Sequence, residues 1–394
     1  MTAQFQPTTL TEWPGRRSGS AAPWREEQLN QAPAEPLRRT TARILYIDMA
    51  RGLFLLLMAS THAMTLAAIP STSALALWGP PRGWATTGLI MLCGFMVATL
   101  ARQKEERARI RERVFRRARQ ILLVMLVSNA VMVGIRRLVA EESGPLFSFE
   151  WWSGVLFFGS EWSISGILLP IGLFLVVSPA LVGLYDRCRS RLHVVALAGG
   201  LLLFAALTWS VPALVGDGLA YHHVLDLLFG AGAGGFPVIP MIASGALGFL
   251  LGVFWQPPRE RFDVKTTLGA VLFFVAAGQL LSAAPAFLSV VVGRTLVDMS
   301  HLVLVITLAL AITHWRRSPR VLRIIPLLGT YSLFTFLIHR VVEQALTITL
   351  RPYGLPSEIV YVLCFSGGMR GLVELILWRR TLPAYDRLLR ALYL

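Results

Sequence analysis

Asp48, Arg51 and His62 stand in the stretch DMARGLFLLLMASTH, which is otherwise apolar enough for a helix in lipid. Each charged side chain placed in hydrocarbon costs about 3 kcal/mol, so this segment must turn a polar stripe toward protein or water. On a helix, the eleven residues from Arg51 to His62 turn through about 20° net and rise about 16 Å. Asp48 lies three residues before Arg51 and is its neighbour on the helix surface. All three groups therefore share one face. An arginine grips phosphate through paired, charge-assisted hydrogen bonds. A buried histidine can take a proton near neutral pH. Such a helix could hold a phosphorylated donor at one end and activate a hydroxyl at the other, provided the donor has a long arm. The same residues could instead form a local ion pair, with Arg51 reaching the headgroups and His62 bonded between helices.

Two further stretches carry candidate groups. In VFRRARQILL, Arg116 and Arg119 are three apart, share a face, and suit a nucleotide diphosphate or a lipid phosphate. In LLGTYSLFTFLIHRVVEQ, His339 and Glu343 are four apart and lie at the depth expected of His62. They read either as a hydrogen-bonded structural pair or as part of an acceptor site. Other clusters point to less. His222 and His223 in AYHHVLD are adjacent and diverge on any regular backbone, so no metal site is expected there or elsewhere. The glycines of GAGAGG neither follow a strand nor precede a Walker lysine, and read as a turn. Cys93, Cys188 and Cys364 form neither a disulfide framework nor a metal-ligand spacing.

These groups need elements that hold them at defined depths, and the composition says which. Of 394 residues, 55% are hydrophobic and only 15% charged, and the mean hydropathy is +0.61. A soluble domain would carry far more charge. The apolar blocks are about as long as a bilayer-crossing helix. The expected fold is an all-α polytopic membrane protein with about ten transmembrane helices. The expected spans are 44–66, 84–101, 120–137, 161–184, 193–211, 236–255, 266–284, 299–314, 324–348 and 358–378. Every second loop is basic, including RQKEERARIRERVFRRARQ, DRCRSRLH and HWRRSPRVLR, so both termini are expected in the cytosol. This alternation also accounts for the net charge of +15 without a nucleic-acid partner. Residues 1–40 read as a disordered cytosolic tail, 41–380 as the transmembrane domain, and 381–394 as a short cytosolic tail. Trp151 and Trp152, in an outward loop, read as interface anchors or as a platform for sugar stacking.

Taken together, the quoted motifs resemble the transmembrane acyltransferase superfamily. This comprises the acyltransferase-3 family, the periplasmic glucan succinyltransferases and the heparan-glucosaminide acetyltransferase-like proteins. The pattern D-x-x-R-G followed by histidine is met by Asp48, Arg51, Gly52 and His62. The R-x-x-R that opens the third span is met by Arg116 and Arg119. GTYSLFTFLIH is similar to the late S-Y-x-x-Y-L-x-H segment, with His339 in the histidine position. In EWSISGILL, Gly166 and Ile167 stand where acyltransferase-3 proteins often carry a glutamate. Glu161 lies just before Trp162 instead, a departure that favours the glucan or glucosaminide branch.

The resemblance implies acyl transfer from cytosolic acyl-CoA to a hydroxyl of an extracytoplasmic glycan, by an enzyme of the inner membrane. The acyl group would be acetyl or succinyl. Arg51, Arg116 and Arg119 would hold the CoA phosphates, with Asp48 orienting Arg51. His62 would take the hydroxyl proton, directly or by way of an acyl-histidine, and His339 would position the acceptor or stabilise the oxyanion. Glu161, Trp162 and Glu343 would contact the acceptor. Acyl-CoA would be a co-substrate, with no permanently bound cofactor. The partners would be acyl-CoA, a polysaccharide or glucan and the bilayer, and a homo-oligomer is compatible with the sequence. The competing reading is a transporter or flippase of a glycan or lipid-linked precursor without acyl chemistry. The absence of an internal repeat weighs against it.

Overall fold

A computed structural model describes residues 45–70, 72–73, 84–102, 109–139, 148, 152, 166–215, 227–229, 236–255, 269, 272–273, 276, 294–314, 322 and 324–391. In lipid only a helix satisfies its own backbone within one segment, and the described apolar stretches are helices. In chain order they are α1 (Leu45–Leu66), α2 (Trp84–Ala101), α3 (Ile110–Val139), α4 (Leu168–Arg187), α5 (Arg191–Val215) and α6 (Val238–Phe254). There follow α7 (Arg294–His314), α8 (Ile325–Thr330), α9 (Ser332–Leu350), α10 (Ser357–Thr381) and α11 (Pro383–Ala391). No strand occurs among the described residues.

Seven of these helices, α1, α2, α4, α5, α7, α9 and α10, are long and apolar enough to cross a membrane. The expected span 120–137 lies within α3, whose 30 residues also take in the basic stretch before it. The expected span 236–255 is α6, with 17 residues. Of the expected span 266–284 only residues 269, 272–273 and 276 are described, all of them helical, and the tail 1–40 lies outside the described residues.

One expected span is divided. Residues 324–348 form the short α8 and the longer α9, parted at Tyr331 (φ −98°, ψ 35°). The break coincides with a tertiary contact. Gly329 is driven against the backbone of α1, where a Cβ would lie 1.8 Å from the carbonyl oxygen of Asp48. The chain then restarts with the Thr335 hydroxyl donating back to the carbonyl of Leu328 across the break (3.1 Å).

The core runs through α1, α2, α3, α4, α6 and α7 around Phe54, Phe95, Phe174 and Phe249, each almost wholly buried. α6 lies along α2 at backbone distance. A Cβ on Gly248 would come within 1.9 Å of the Met91 carbonyl, and one on Gly94 within 1.8 Å of the Gly245 carbonyl. Small residues at such crossings let helices gain close packing where lipid offers no hydrophobic drive. By contrast α5 leaves Leu192, Val195 and Leu203 exposed, the apolar surface that a bilayer covers.

α11 folds back on α10 through Asp386, which accepts from Arg379 Nε at 3.0 Å and pairs with Arg390 Nη2 at 2.7 Å. Hydrogen bonds from Arg390 and then Arg379 hold the Asp386 carboxyl below its ordinary value. A carboxyl depressed in the folded state contributes stability above its unfolded value and loses it as pH falls through the folded one. Amide exchange in α11, corrected for intrinsic rates, is therefore expected to be faster at pH 3 than at pH 6. Asp386→Asn should show the faster exchange at both. Equal protection of the wild type at the two pH values would refute this docking.

Candidate active site

α1 is one unbroken helix, so Arg51 and His62 keep the separation of about 16 Å along one face. At the first end, the Arg51 guanidinium is tied in three directions. Nη1 donates to Asp48 Oδ1 at 3.2 Å and to the carbonyl of Gly329 at 3.1 Å, and Nη2 lies against Met96 Sδ. The Gly329 carbonyl belongs to the last turn of α8, where carbonyls lack helical partners and a cation is favoured. The Arg51 and Asp48 side chains are only 18% and 14% exposed.

Arg51 lines a cavity of about 410 Å³, within the size range of small-molecule sites. Its polar walls are Arg113 and Arg117 from α3, Cys93 from α2, and Thr330 and Ser332 around the α8–α9 break. Its apolar walls include Leu92, Met96, Ile171, Leu175 and Phe336.

The other end is held by α9. Arg340 Nη1 donates to His62 Nδ1 at 3.0 Å. The rings of His62 and His339 stack with centroids 5.5 Å apart and planes at 28°. His339 Nδ1 donates to the backbone carbonyl of Thr335 at 2.9 Å, while its Nε2 is buried without a partner. Phe336 joins the two ends, since its ring lines the cavity and meets the His339 ring with centroids 6.0 Å apart. The two imidazoles do not themselves line the cavity; Phe336 stands between it and His339. Ser60 and Tyr361, hydrogen-bonded at 2.9 Å, tie α1 to α10 near His62.

A family model described as an acyltransferase domain matches residues 44–373, and this range contains both ends of the site. The chain belongs to the acyltransferase-3 family. The match runs through Gly166 and Ile167, so the missing glutamate, expected to favour the glucan or glucosaminide branch, leaves the chain within the family. No curated protein and no solved structure is similar enough to count as a match. The acyltransferase is a multi-pass membrane protein by its apolar helices and by its family.

The acyltransferase arranges the expected site residues unevenly. Asp48 meets Arg51 at one end of α1, and His62 meets His339 at the other. Arg116 and Arg119 do not reach the cavity. Both are exposed, Arg116 pairs with Glu112 one turn earlier, and together they line a separate shallow surface with Arg111 and Phe115. The arginines that reach Arg51's cavity are Arg113 and Arg117. The packing of α3 gives the reason. The buried positions Val114, Ala118, Ile121 and Met125 define the inward face of α3. At about 100° per residue, Arg117 falls about 70° from its centre, against about 130° for Arg119 and about 170° for Arg116.

Glu343 is fully buried, but His339 turns to the Thr335 carbonyl and not to it, so the expected His339–Glu343 hydrogen bond does not form. Neither oxygen of Glu343 has a hydrogen-bond partner among the described residues. Arg340, one residue past His339 and inside the expected span 324–348, makes the contact to His62; the sequence gives it no role, because its partner is 278 residues away. Glu161, Trp162, Trp151, His222 and His223 lie outside the described residues. Trp152 is 44% exposed.

Proposed function

We propose that this acyltransferase moves an acetyl or succinyl group from cytosolic acyl-CoA to a hydroxyl of an extracytoplasmic glycan, in the inner membrane. One observation carries the reading. The cavity lined by Arg51, Arg113 and Arg117 is also lined by Phe336, whose ring meets that of His339 with centroids 6.0 Å apart. Arginines at the mouth suit the phosphates of CoA, and the apolar walls between Leu92 and Leu175 suit its uncharged arm. The paired histidines then meet the thioester carbonyl and the attacking hydroxyl. With the basic loops in the cytosol, the donor enters from the side where acyl-CoA is made, and the acceptor approaches His62 from the opposite face. Acyl-CoA is spent as a co-substrate, and the chain needs no resident cofactor for this step.

The test is free-thiol release from acetyl-CoA and from succinyl-CoA by purified protein in lipid, with and without cell-envelope glycan. Release that requires glycan, with one donor preferred, is the expected result. No release with either donor from folded protein would overturn the reading. In the same assay Arg113→Ala and Arg117→Ala should each raise KM for the donor roughly 10- to 100-fold, the worth of a hydrogen bond to a charged group. Arg116→Ala and Arg119→Ala, on the outer face, should change it less than about threefold, as exposed charges do. The reverse pattern would place the CoA phosphates on the outer face of α3.

A further inference from the structure

The two imidazoles are not equivalent, and their hydrogen bonds say which proton each carries. A guanidinium has only donors. Arg340 Nη1, 3.0 Å from His62 Nδ1, therefore meets a lone pair there, and His62 carries its one proton on Nε2. A backbone carbonyl has only lone pairs. Thr335 O, 2.9 Å from His339 Nδ1, therefore meets a proton there, and the free lone pair of His339 is on Nε2. That Nε2 is buried in a residue only 2% exposed and has no partner among the described residues. Burying an acceptor unpaired is costly, and a lone pair left free in this way suits a group that must meet a substrate proton. His62 has the opposite character, because the lone pair it would need as a base is already taken by Arg340.

We propose that His339 is the base that takes the acceptor proton, and that His62, held by Arg340, is the hydrogen-bond donor to the carbonyl under attack. This rests on the acyl-transfer reading and reverses the roles expected of the two histidines from the sequence. The step balances within the pair. The acceptor hydroxyl oxygen attacks the thioester carbonyl carbon, forming the C–O bond, as its proton passes to His339 Nε2. The carbonyl π pair moves onto oxygen, where His62 Nε2–H donates to it. The oxyanion collapses, the C–S bond breaks with its pair on sulfur, and the thiolate takes the proton back from His339 Nε2. The products are the ester and the free thiol, with both histidines restored. Arg340 and the Thr335 carbonyl are positioning groups, each fixing a tautomer through the far side of a ring.

Glutamine separates the two roles, because its amide can donate from near the position of Nε2 but cannot act as a base. His62→Ala should lose about 10²–10³ in kcat, the effect of deleting an oxyanion donor, whereas His62→Gln should recover at least tenfold of that loss. His339→Gln should be no better than His339→Ala, both losing about 10²–10⁴ as for a deleted general base. His62→Gln as inactive as His62→Ala, with His339→Gln active, would overturn the assignment. A second measurement does not depend on turnover or on variant folding. Solid-state spectra of ¹⁵N-histidine protein in lipid should show His62 protonated on Nε2 and His339 on Nδ1. Arg340→Met should release the first assignment and leave the second. The opposite tautomers in the wild type would overturn the proposal. The expected tautomers in a protein that transfers no acyl group would overturn the acyl-transfer reading, and with it the catalytic use of the pair.

Discussion

Arg51→Lys will fail to support acyl transfer at anything near the wild-type rate, although it keeps the charge. Arg51 uses two separate nitrogens, Nη1 toward Asp48 and the Gly329 carbonyl and Nη2 toward Met96. A lysine ammonium is a compact point charge on a different stem and cannot span these contacts and a phosphate together. The expected loss in kcat/KM is about 10²-fold for both Arg51→Lys and Arg51→Met, or roughly 3 kcal/mol. Stability should fall by less. The pair with Asp48 is partly exposed, at 18% and 14%, so the 3–5 kcal/mol known for breaking a fully buried pair is discounted to about 1–2 kcal/mol. Asp48→Asn in the Arg51→Met background should restore most of that stability and none of the activity. An Arg51→Lys enzyme with wild-type kcat/KM would remove Arg51 from donor binding.

The second large effect is steric. A valine at Gly329 would put its Cβ 1.8 Å from the Asp48 carbonyl oxygen, and one at Gly52 would put it 2.0 Å from that of Ile325. Both obstacles are backbone, so no side chain can swing aside, and α8 must part from α1. Overpacking in a core ordinarily costs about 1–3 kcal/mol, and a backbone obstacle takes this to the upper end or beyond. Parting the helices also breaks the Arg51–Gly329 bond. A displacement of about 1 Å at a catalytic group can cost 10²-fold in rate. Gly329→Val is therefore expected to lower the thermal midpoint sharply and to abolish thiol release. Gly200→Val on α5 is the control, because a Cβ there meets nothing within 4 Å. Equal midpoints for the two variants would show that α1 and α8 do not pack as described.

Much of this was legible along the chain. Apolar runs of bilayer length allow only helix in lipid, so α1, α2, α4, α5, α7 and α10 fall close to their expected bounds. Ionisable residues in such a run are expensive enough to mark a function, which is why Asp48, Arg51 and His62 could be read on one face before any packing was known. The break at Tyr331 could not be read. It arises because Gly329 meets a carbonyl on α1, a contact between residues 281 positions apart. The arginines of α3 lie between these cases. Two pairs in RERVFRRARQ fit a phosphate-binding spacing, and only the packing that brings Arg113 and Arg117 to the wall of the Arg51 cavity decides between them.

The sequence by itself determined that the chain is a helical membrane protein, which helix carries the chemistry, and how far apart its arginine and histidine stand. These are properties of single helices, set by composition and by a fixed rise per residue. The tertiary structure alone decided which arginines share a cavity with Arg51, that Arg340 and His339 close around His62, and which nitrogen of each imidazole is free. Those depend on contacts between helices distant in sequence, where a tautomer is chosen by whichever donor or acceptor packing brings to the far side of the ring.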